Sequence, residues 1–262
     1  MVIVRYGRRS TVRSDVYLNY PLYRTPDAPI EMDYFFWVIR DSERTVVVDT
    51  GFSPAGGANR GRTTVIEPPA AFAALGVHPS DAPPVVVTHA HYDHIGNLGY
   101  FDASTVVLCR AELEFWTGSQ AHRPLFHHSV EDSELAYLAG LNGNRLALYD
   151  TGYSVSDGIE VWRVGGHTPG QAVVFVRTED GVLCLASDSV HYYEELERGL
   201  PFMSVADLVE MYEGFDLING LLSSGQLQAV ITGHDPATLD RFAPLEEVVS
   251  LQGNAAVAGR RA

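Results

Sequence analysis

The fold of this chain is indicated first by one short run, Thr88-His89-Ala90-His91-Tyr92-Asp93-His94-Ile95-Gly96. The run contains three imidazoles and one carboxylate within six residues, and it follows an apolar run, Pro84-Val85-Val86-Val87, that is typical of a buried strand. Imidazole and carboxylate together suit Zn²⁺, Mn²⁺ or Fe²⁺ without a thiolate. Because α/β proteins tend to place active sites at strand ends, the run predicts a metal-dependent enzyme.

This histidine-rich loop can serve two metal sites at once. His89 and His91 are two residues apart, so their side chains can leave an extended backbone on the same side. Asp93 and His94 come next and can turn towards a second position. Each site still needs ligands from elsewhere in the chain.

Three further ligand-type residues lie next to strand-like runs. His167 stands between Gly165-Gly166 and Pro169, where the glycines free the backbone and the proline stops the strand. Asp188 follows an apolar run, and its two carboxylate oxygens can bridge two cations. His234 likewise follows an apolar run. Packing alone does not explain a His or Asp at every one of these positions.

The composition excludes several classes of protein. The 262 residues have a formal net charge of −15, which disfavours binding to nucleic acid or to an anionic membrane surface. No run reaches the ~20 apolar residues of a membrane span, and the first residues do not form a secretory signal. Cys109 and Cys184 stand in apolar runs and are predicted to be buried thiols without a disulfide. The chain is therefore expected to be a soluble cytoplasmic protein.

The order of strand-like and helix-like runs predicts the layout. Strand-like runs cover 34–40, 45–49, 85–88, 105–108, 158–164, 172–177, 182–186 and 229–232. Helical patterns cover 69–75, 110–117, 133–141, 193–197 and 204–223, the last with Ser204 as N-cap. A hairpin–helix–strand pattern occurs once in each half. It predicts an α/β fold of two similar halves, a four-layer αββα sandwich, in one domain over 1–262 with a helical and loop insertion at about 110–150.

Taken in order, these pieces resemble the metallo-β-lactamase superfamily of hydrolases. The resemblance rests on Asp49-Thr50-Gly51, the His89–His94 cluster, Gly166-His167-Thr168-Pro169-Gly170, Asp188 and Gly233-His234. It implies an αββα sandwich with a dinuclear metal site. One metal would be held by His89, His91 and His167. The other would be held by Asp93, His94 and His234, with Asp188 bridging the two. Asp49 would orient a ligand loop.

The chemistry expected at such a site is hydrolysis. Two divalent cations about 3.5–4 Å apart can share a hydroxide that attacks a carbonyl carbon, while a metal polarises the carbonyl oxygen. Zn²⁺ is the expected metal, with Mn, Fe or Co as alternatives. Asp93 would carry a proton to the leaving group. No serine or cysteine nucleophile is required, and the chain has no nucleophile-elbow sequence.

The segment that follows Asp188 narrows the substrate class. The run Ser189-Val190-His191-Tyr192-Tyr193-Glu194-Glu195-Leu196-Glu197 is similar to the N-acyl homoserine lactonase branch. Lactonases of that branch tend to carry a substrate-contacting tyrosine three residues after the bridging aspartate, where this chain has His191. The resemblance implies that the protein opens an N-acyl homoserine lactone or a related cyclic ester, a quorum-quenching activity. His191 or Tyr192 would contact the substrate.

Other functions stay open at this point. A glyoxalase II-like thioesterase would use the same metals, whereas a persulfide dioxygenase-like oxidoreductase would hold a single iron, and a silent binding member would do no chemistry. The complete second set of ligands favours two metals. Apolar surface on the 110–150 insertion makes a homodimer an option. We expect the loop histidines His122, His127 and His128 to lie on the surface, away from the site.

Overall fold

A computed structural model describes residues 1–259, so the last three residues of the predicted 1–262 domain lie outside it. The strands in the described part are β1 (Val2–Val12), β2 (Pro29–Arg40), β3 (Thr45–Val48), β4 (Thr63–Thr64), β5 (Val85–Val86), β6 (Val106–Cys109), β7 (Leu146–Tyr149), β8 (Gly152–Ser156), β9 (Ile159–Arg163), β10 (Ala172–Thr178), β11 (Gly181–Ser187), β12 (Ala229–Thr232), β13 (Ala243–Pro244) and β14 (Ala255–Val257). The α-helices there are α1 (Pro54–Asn59), α2 (Pro68–Ala74), α3 (Tyr92–Ile95), α4 (Arg110–Trp116), α5 (Pro124–His127), α6 (Asp132–Ala139), α7 (Tyr193–Arg198), α8 (Leu208–Ser223) and α9 (Ala237–Asp240).

These strands form two sheets. The larger sheet has the order β13-β14-β1-β2-β3-β5-β6-β7, with β4 paired to β1, and the smaller has the order β12-β11-β10-β9-β8. The hairpin of the pattern predicted for each half is present, because Arg40 pairs with Thr45 in the first half and Thr178 pairs with Gly181 in the second. The parallel neighbours β3, β5 and β6 all end at the same edge of the larger sheet. That shared edge is where the histidine-rich loop begins.

Alternating side chains on the central strands build the layers. On β2, Phe35 and Trp37 face the other sheet, whereas Phe36 faces the helices that cover the outside. The smaller sheet is also covered by a helix on its outer face, where it packs on Met211 and Phe215 of α8. Each large side chain buried in this way stabilises the fold by roughly 1.5–3 kcal/mol. The predicted four-layer αββα sandwich is confirmed, with the larger sheet nearly twice as wide as the smaller.

Two details of the prediction were wrong. Helix α8 begins at Leu208, because the side chain of Asp207 caps it by accepting hydrogen bonds from the Val209 and Glu210 amides. Ser204 therefore lies in the preceding loop. The 11-residue strand β1 had no counterpart among the predicted runs, since arginines and a glycine interrupt its apolar pattern.

The 110–150 stretch contains α4, α5, α6 and β7. The glycine-rich loop at 51–61 includes the short helix α1, capped by Ser53, whose side chain accepts a hydrogen bond from the Gly56 amide. Both cysteines are buried and free, as expected. Within residues 1–259, every helix is too short or too polar to cross a bilayer. The single-domain and cytoplasmic assignments stay predictions.

Candidate metal centre

Both sheets contribute to one buried cluster of ligand-type side chains. The loop after β5 supplies His89, His91, Asp93 and His94. The smaller sheet supplies the rest, from the turn between β9 and β10, the end of β11 and the end of β12: His167, Asp188 and His234. All seven are at most 7% exposed. The structure thus brings together every residue that was predicted to bind metal.

The side chains divide into two groups that share one carboxylate. His89, His91, His167 and Asp188 form the first, which we call the imidazole site. Asp93, His94, His234 and Asp188 form the second, the carboxylate site. Within each group, one potential ligand atom per residue lies within 4.8 Å of all the others. The arrangement matches the division of ligands that the resemblance implied.

Unpartnered polar atoms show that the cluster fits cations. Within residues 1–259, His89 Nε2, His94 Nε2 and Asp188 Oδ1 are fully buried without a hydrogen-bond partner. A buried polar atom left unpaired is costly, and native proteins rarely keep several together without an ion or water. Nitrogen and carboxylate oxygen donors in groups of four suit divalent transition metals.

Hydrogen bonds on the far side of the rings orient the imidazoles. His167 Nδ1 donates to the Ser204 carbonyl at 2.7 Å, and His234 Nδ1 donates to the Asp33 carbonyl at 2.7 Å. His94 Nδ1 lies 2.7 Å from Asp49 Oδ2. In each case the Nε2 atom lies among the other ligand-type atoms of the cluster, and the partner at Nδ1 fixes both tautomer and ring orientation.

Asp49, at the end of β3, holds the histidine-rich loop that follows β5. Its carboxylate accepts hydrogen bonds from the Thr88 amide at 2.8 Å and the Thr88 hydroxyl at 2.7 Å, in addition to contacting His94. The Thr88 hydroxyl lies 2.9 Å from that of Ser187 at the end of β11. Asp49 and Ser187 have φ angles of 59° and 46°, which non-glycine residues rarely adopt. Such strain near a site indicates that its geometry is held tightly.

Glu112 is a structural residue of the site that the sequence did not reveal. It is fully buried, and its carboxylate accepts hydrogen bonds from the Ala90 amide, the Trp116 indole, the Thr168 hydroxyl and the Gly170 amide. It therefore holds the His89–His91 loop against the His167 turn. Its position in the first turn of α4 carries no local signal, because the groups that tie it to the two ligand loops, at Ala90, Thr168 and Gly170, are distant in sequence.

Electrostatics distinguish the two sites. Burial lowers the pKa values of His89 and His91 well below the usual range and that of His167 to about 3, so these imidazoles are neutral and can donate a lone pair. Burial also lowers the pKa of His94, but Asp188 and Asp49 outweigh it and raise that pKa well above its usual range. Burial alone would raise the pKa of Asp188, but the surrounding histidines have the larger effect. The pKa of Asp188 therefore lies well below its usual range. The cluster therefore favours positive charge at its centre.

The three residues predicted to act in catalysis, Asp93 as proton carrier and His191 or Tyr192 as substrate contact, occupy different places around the cluster. Asp93 lines the cavity above the cluster. His191 is fully buried behind Asp188, with its Nε2 3.2 Å from Asp188 Oδ2 and its Nδ1 3.4 Å from Glu195 Oε1. The Tyr192 hydroxyl donates to the Glu31 carbonyl at 3.0 Å, and its side chain does not line the cavity. The geometry favours a role for His191 in positioning Asp188.

The cavity above the cluster has a volume of about 160 Å³ and a mixed lining. Its apolar and aromatic wall includes Met32, Tyr34, Tyr92, Phe202 and Met203. Its charged lining includes Arg9, Asp15, Arg60 and Arg62. His128 also lines this cavity, so the expectation that it lies away from the site was wrong. His127 pairs instead with Asp132 on the surface.

Comparison with known proteins agrees with this geometry. Residues 33–122 match the family described as the metallo-beta-lactamase superfamily. An N-acyl homoserine lactonase of a Bacillus species is 25% identical over 227 residues, which cover 81% of this chain and 82% of that protein.

Solved structures show the same fold. An N-acyl homoserine lactone hydrolase with the product N-hexanoyl-L-homoserine at its catalytic metal centre has a TM-score of 0.74 at 20% identity, covering 92% of this chain and 95% of that one. AidC, a dizinc quorum-quenching lactonase, has a TM-score of 0.69 at 18% identity, covering 90% and 87%.

In its sandwich fold, in the order of its ligand-type residues and in the match over residues 33–122, this chain is similar to the metallo-β-lactamase superfamily. Within the superfamily it is similar to the N-acyl homoserine lactonase branch.

Proposed function

We propose that this protein is a dinuclear metal-dependent hydrolase that opens a lactone, an N-acyl homoserine lactone or a related cyclic ester. The observation that carries the proposal is the pair of buried ligand groups that share Asp188. The lactonase relatives and the product-bound neighbour support the ester class of substrate. A single-iron oxidoreductase is disfavoured, because the carboxylate site is as complete as the imidazole site.

The proposed ligands are those that the structure brings together. His89, His91 and His167 would hold one metal. Asp93, His94 and His234 would hold the other, with Asp188 between them. When bound, a pair of divalent cations supplies an acidified water and polarises an ester carbonyl. Zn²⁺ is the proposed metal, since imidazole and carboxylate donors suit it and AidC, a neighbour in fold, is described as dizinc.

The residues around the cavity would handle substrate and protons. Asp93 belongs to the carboxylate site and also lines the cavity, so its carboxylate can hold a proton on the way to the leaving oxygen. Burial raises the pKa of Tyr34 to about 12, so its hydroxyl stays protonated and can donate a hydrogen bond to a bound ester. Met32, Phe202 and Met203 provide an apolar wall for an acyl chain.

Proton release with a matched set of substrates tests this function. The purified protein is stripped with a chelator and reloaded with Zn²⁺, Mn²⁺, Co²⁺ or Fe²⁺, and the bound metal is counted by mass spectrometry. The substrates are acyl homoserine lactones of several chain lengths, a glutathione thioester and a β-lactam. We expect two metals per chain and chelator-sensitive turnover confined to lactones.

Other outcomes identify the alternatives. Turnover of the thioester alone would move the protein to a glyoxalase II-like function. One iron per chain with oxygen consumption would indicate the oxidoreductase. Tight metal binding with no turnover of any substrate would indicate a binding protein. An Arg177→Gln variant, changed at an exposed residue on β10, controls for effects of surface charge.

A further inference from the structure

The pairing of β1 with β4 brings two arginines to the wall of the catalytic cavity. Arg8 pairs with Thr63 in this antiparallel register, and extending the register by one residue past the end of β4 places Arg9 opposite Arg62. Both of these arginines line the cavity above the metal cluster. Like charges directly opposite each other on neighbouring strands are destabilising, unless an anion lies between them.

Arg62 keeps part of its hydrogen-bonding capacity unused. Its Nε donates to the Tyr92 hydroxyl at 2.9 Å and its Nη1 donates to the Arg60 carbonyl at 2.7 Å. The guanidinium also lies 5.7 Å from the centre of the Tyr34 ring. No ion pair to a carboxylate is found for Arg62 in the described part of the chain. Its Nη2 group is therefore available, since a guanidinium offers five N–H donors.

Arg9 also has N–H groups without a partner in the described part of the chain. Its Nη2 donates to the Thr11 hydroxyl at 3.1 Å, and it has no ion pair among residues 1–259. Asp15, an acidic residue that also lines this cavity, accepts a hydrogen bond from the same Thr11 hydroxyl and is exposed to solvent. Arg9 therefore keeps two of its nitrogens for a ligand.

Several neighbouring arginines, unlike Arg9 and Arg62, form ion pairs with carboxylates. Arg5 pairs with Asp33 at 3.0 Å, Arg13 pairs with Glu194 at 2.6 Å, and Arg60 pairs with Glu131. The chain has 33 acidic residues against 18 basic ones, so carboxylate partners are plentiful. Arg9 and Arg62 thus combine two features, the lack of a carboxylate partner within residues 1–259 and a place on the cavity wall, and guanidinium groups of this kind suit an anionic ligand.

We propose that the substrate carries a carboxylate apart from the ester that is cleaved, and that Arg62 and Arg9 bind this group. The inference rests on the proposed function and names the substrate class: a lactone whose acyl chain ends in an acid. Arg62 is the main contact, because Tyr34 and Tyr92 hold its guanidinium in place, and Arg9 adds charge from the neighbouring strand.

The carboxylate in question is distinct from the one that hydrolysis creates. Ring opening releases its acid at the metal cluster. The Tyr34 ring contacts both regions: its centre lies 4.9 Å from that of His234 in the cluster and 5.7 Å from the Arg62 guanidinium. A group held by Arg62 would therefore lie beside Tyr34 on the cavity wall, whereas the scissile ester would lie at the cluster.

Matched pairs of substrates test the proposal. The probes are homoserine lactones acylated with succinate, adipate or suberate, each compared with the neutral butanoyl, hexanoyl or octanoyl lactone of equal chain length. We expect kcat/KM for the best acid probe to exceed that of its neutral partner by about tenfold or more, as expected for a charge-assisted pair. The chain length with the largest ratio reports the distance to Arg62.

The variants use the same ratio, which cancels general damage to the enzyme. Arg62→Gln should reduce the acid-to-neutral ratio to near one, Arg9→Gln should reduce it partly, and Arg62→Lys should restore part of it. Tyr92→Phe removes the hydrogen bond but keeps the guanidinium, so it should preserve the ratio. Arg177→Gln should leave both rates unchanged. A wild-type ratio at or below one, or an unchanged ratio in Arg62→Gln, would overturn the proposal.

Binding separates failure of this inference from failure of the proposed function. Calorimetry measures the affinity of the metal-loaded protein for ring-opened N-adipoyl-homoserine and N-hexanoyl-homoserine, whether or not any lactone is turned over. Tighter binding of the acid in the wild type but not in Arg62→Gln supports the arginine site even without lactonase activity. Hydrolysis of neutral lactones with equal affinity for the two acids would keep the lactonase and reject the arginine site.

Discussion

The imidazole site and the carboxylate site use similar side chains but are held in different ways. At the imidazole site, burial keeps the rings neutral, and Glu112 fixes the loops through four uncharged donors. At the carboxylate site, Asp49 and Asp188 raise the pKa of His94 well above its usual range, against the effect of burial. One site therefore depends mainly on positioning and the other mainly on charge, with Asp188 common to both.

Asp188→Ala should have the largest effect, because both sites lose a ligand at once. We expect kcat/KM for a lactone to fall by roughly 10³-fold or more and the metal content to drop below that of any other variant. Turnover assays with metal analysis on the same sample provide the measurement. Full activity in this variant would reject the shared-carboxylate arrangement.

Single-site ligands come next. His91→Ala should empty the imidazole site and His94→Ala the carboxylate site, each leaving about one metal per chain and very little turnover. Mass spectrometry of the intact protein under native conditions counts the metals directly. If either variant lost both metals, the two sites would be one cooperative unit and the contrast between them would not hold.

Two residues that position the metal ligands, Asp49 and Glu112, should each affect a different site when they are replaced. Asp49→Asn should weaken metal binding at the carboxylate site by roughly 10- to 100-fold, since it removes the charge that orients His94. Glu112→Gln should instead lower activity mainly through the imidazole site, because an amide cannot accept all the hydrogen bonds of the carboxylate. Competition with a fluorescent chelator resolves the two affinities. The same site weakened in both variants would contradict this assignment.

Glu195→Gln should have the smallest effect. Glu195 contacts His191, which in turn contacts Asp188, so the change reaches the metals only through two intermediates. We expect a loss of roughly three- to tenfold in kcat with little change in metal content. A loss as large as that of Asp188→Ala would show that His191 acts on the substrate itself.

The sequence predicted the central part of the fold better than its edges. Runs such as 34–40 and 172–177 are apolar on both faces of a sheet, so their strands were recognisable. Strand β1 was missed because arginines interrupt its apolar pattern. Arg5 and Arg8 form ion pairs with Asp33, and Arg9 lines the cavity. Such roles depend on neighbours that only the folded chain supplies.

In the site, too, residues with a local sequence pattern were predicted and residues with distant partners were not. The candidate metal ligands stood out because each is a histidine or aspartate next to a strand end. Glu112 and Arg62 did not, since the groups that they contact come from distant or unpatterned segments. The orientation of His191 could not be predicted either, because Glu195 and Phe202 place it, and Phe202 stacks on its ring at 3.7 Å.

Each metal position draws its ligands from both sheets, and this has a consequence for how the molecule unfolds. A metal at either position would link His91 or His94 of the larger sheet to His167 or His234 of the smaller one. Such a cross-link between distant segments constrains the unfolded chain much as a disulfide does. The metal-loaded protein should therefore melt as one cooperative body, and two separately produced halves should reassemble only when metal is present.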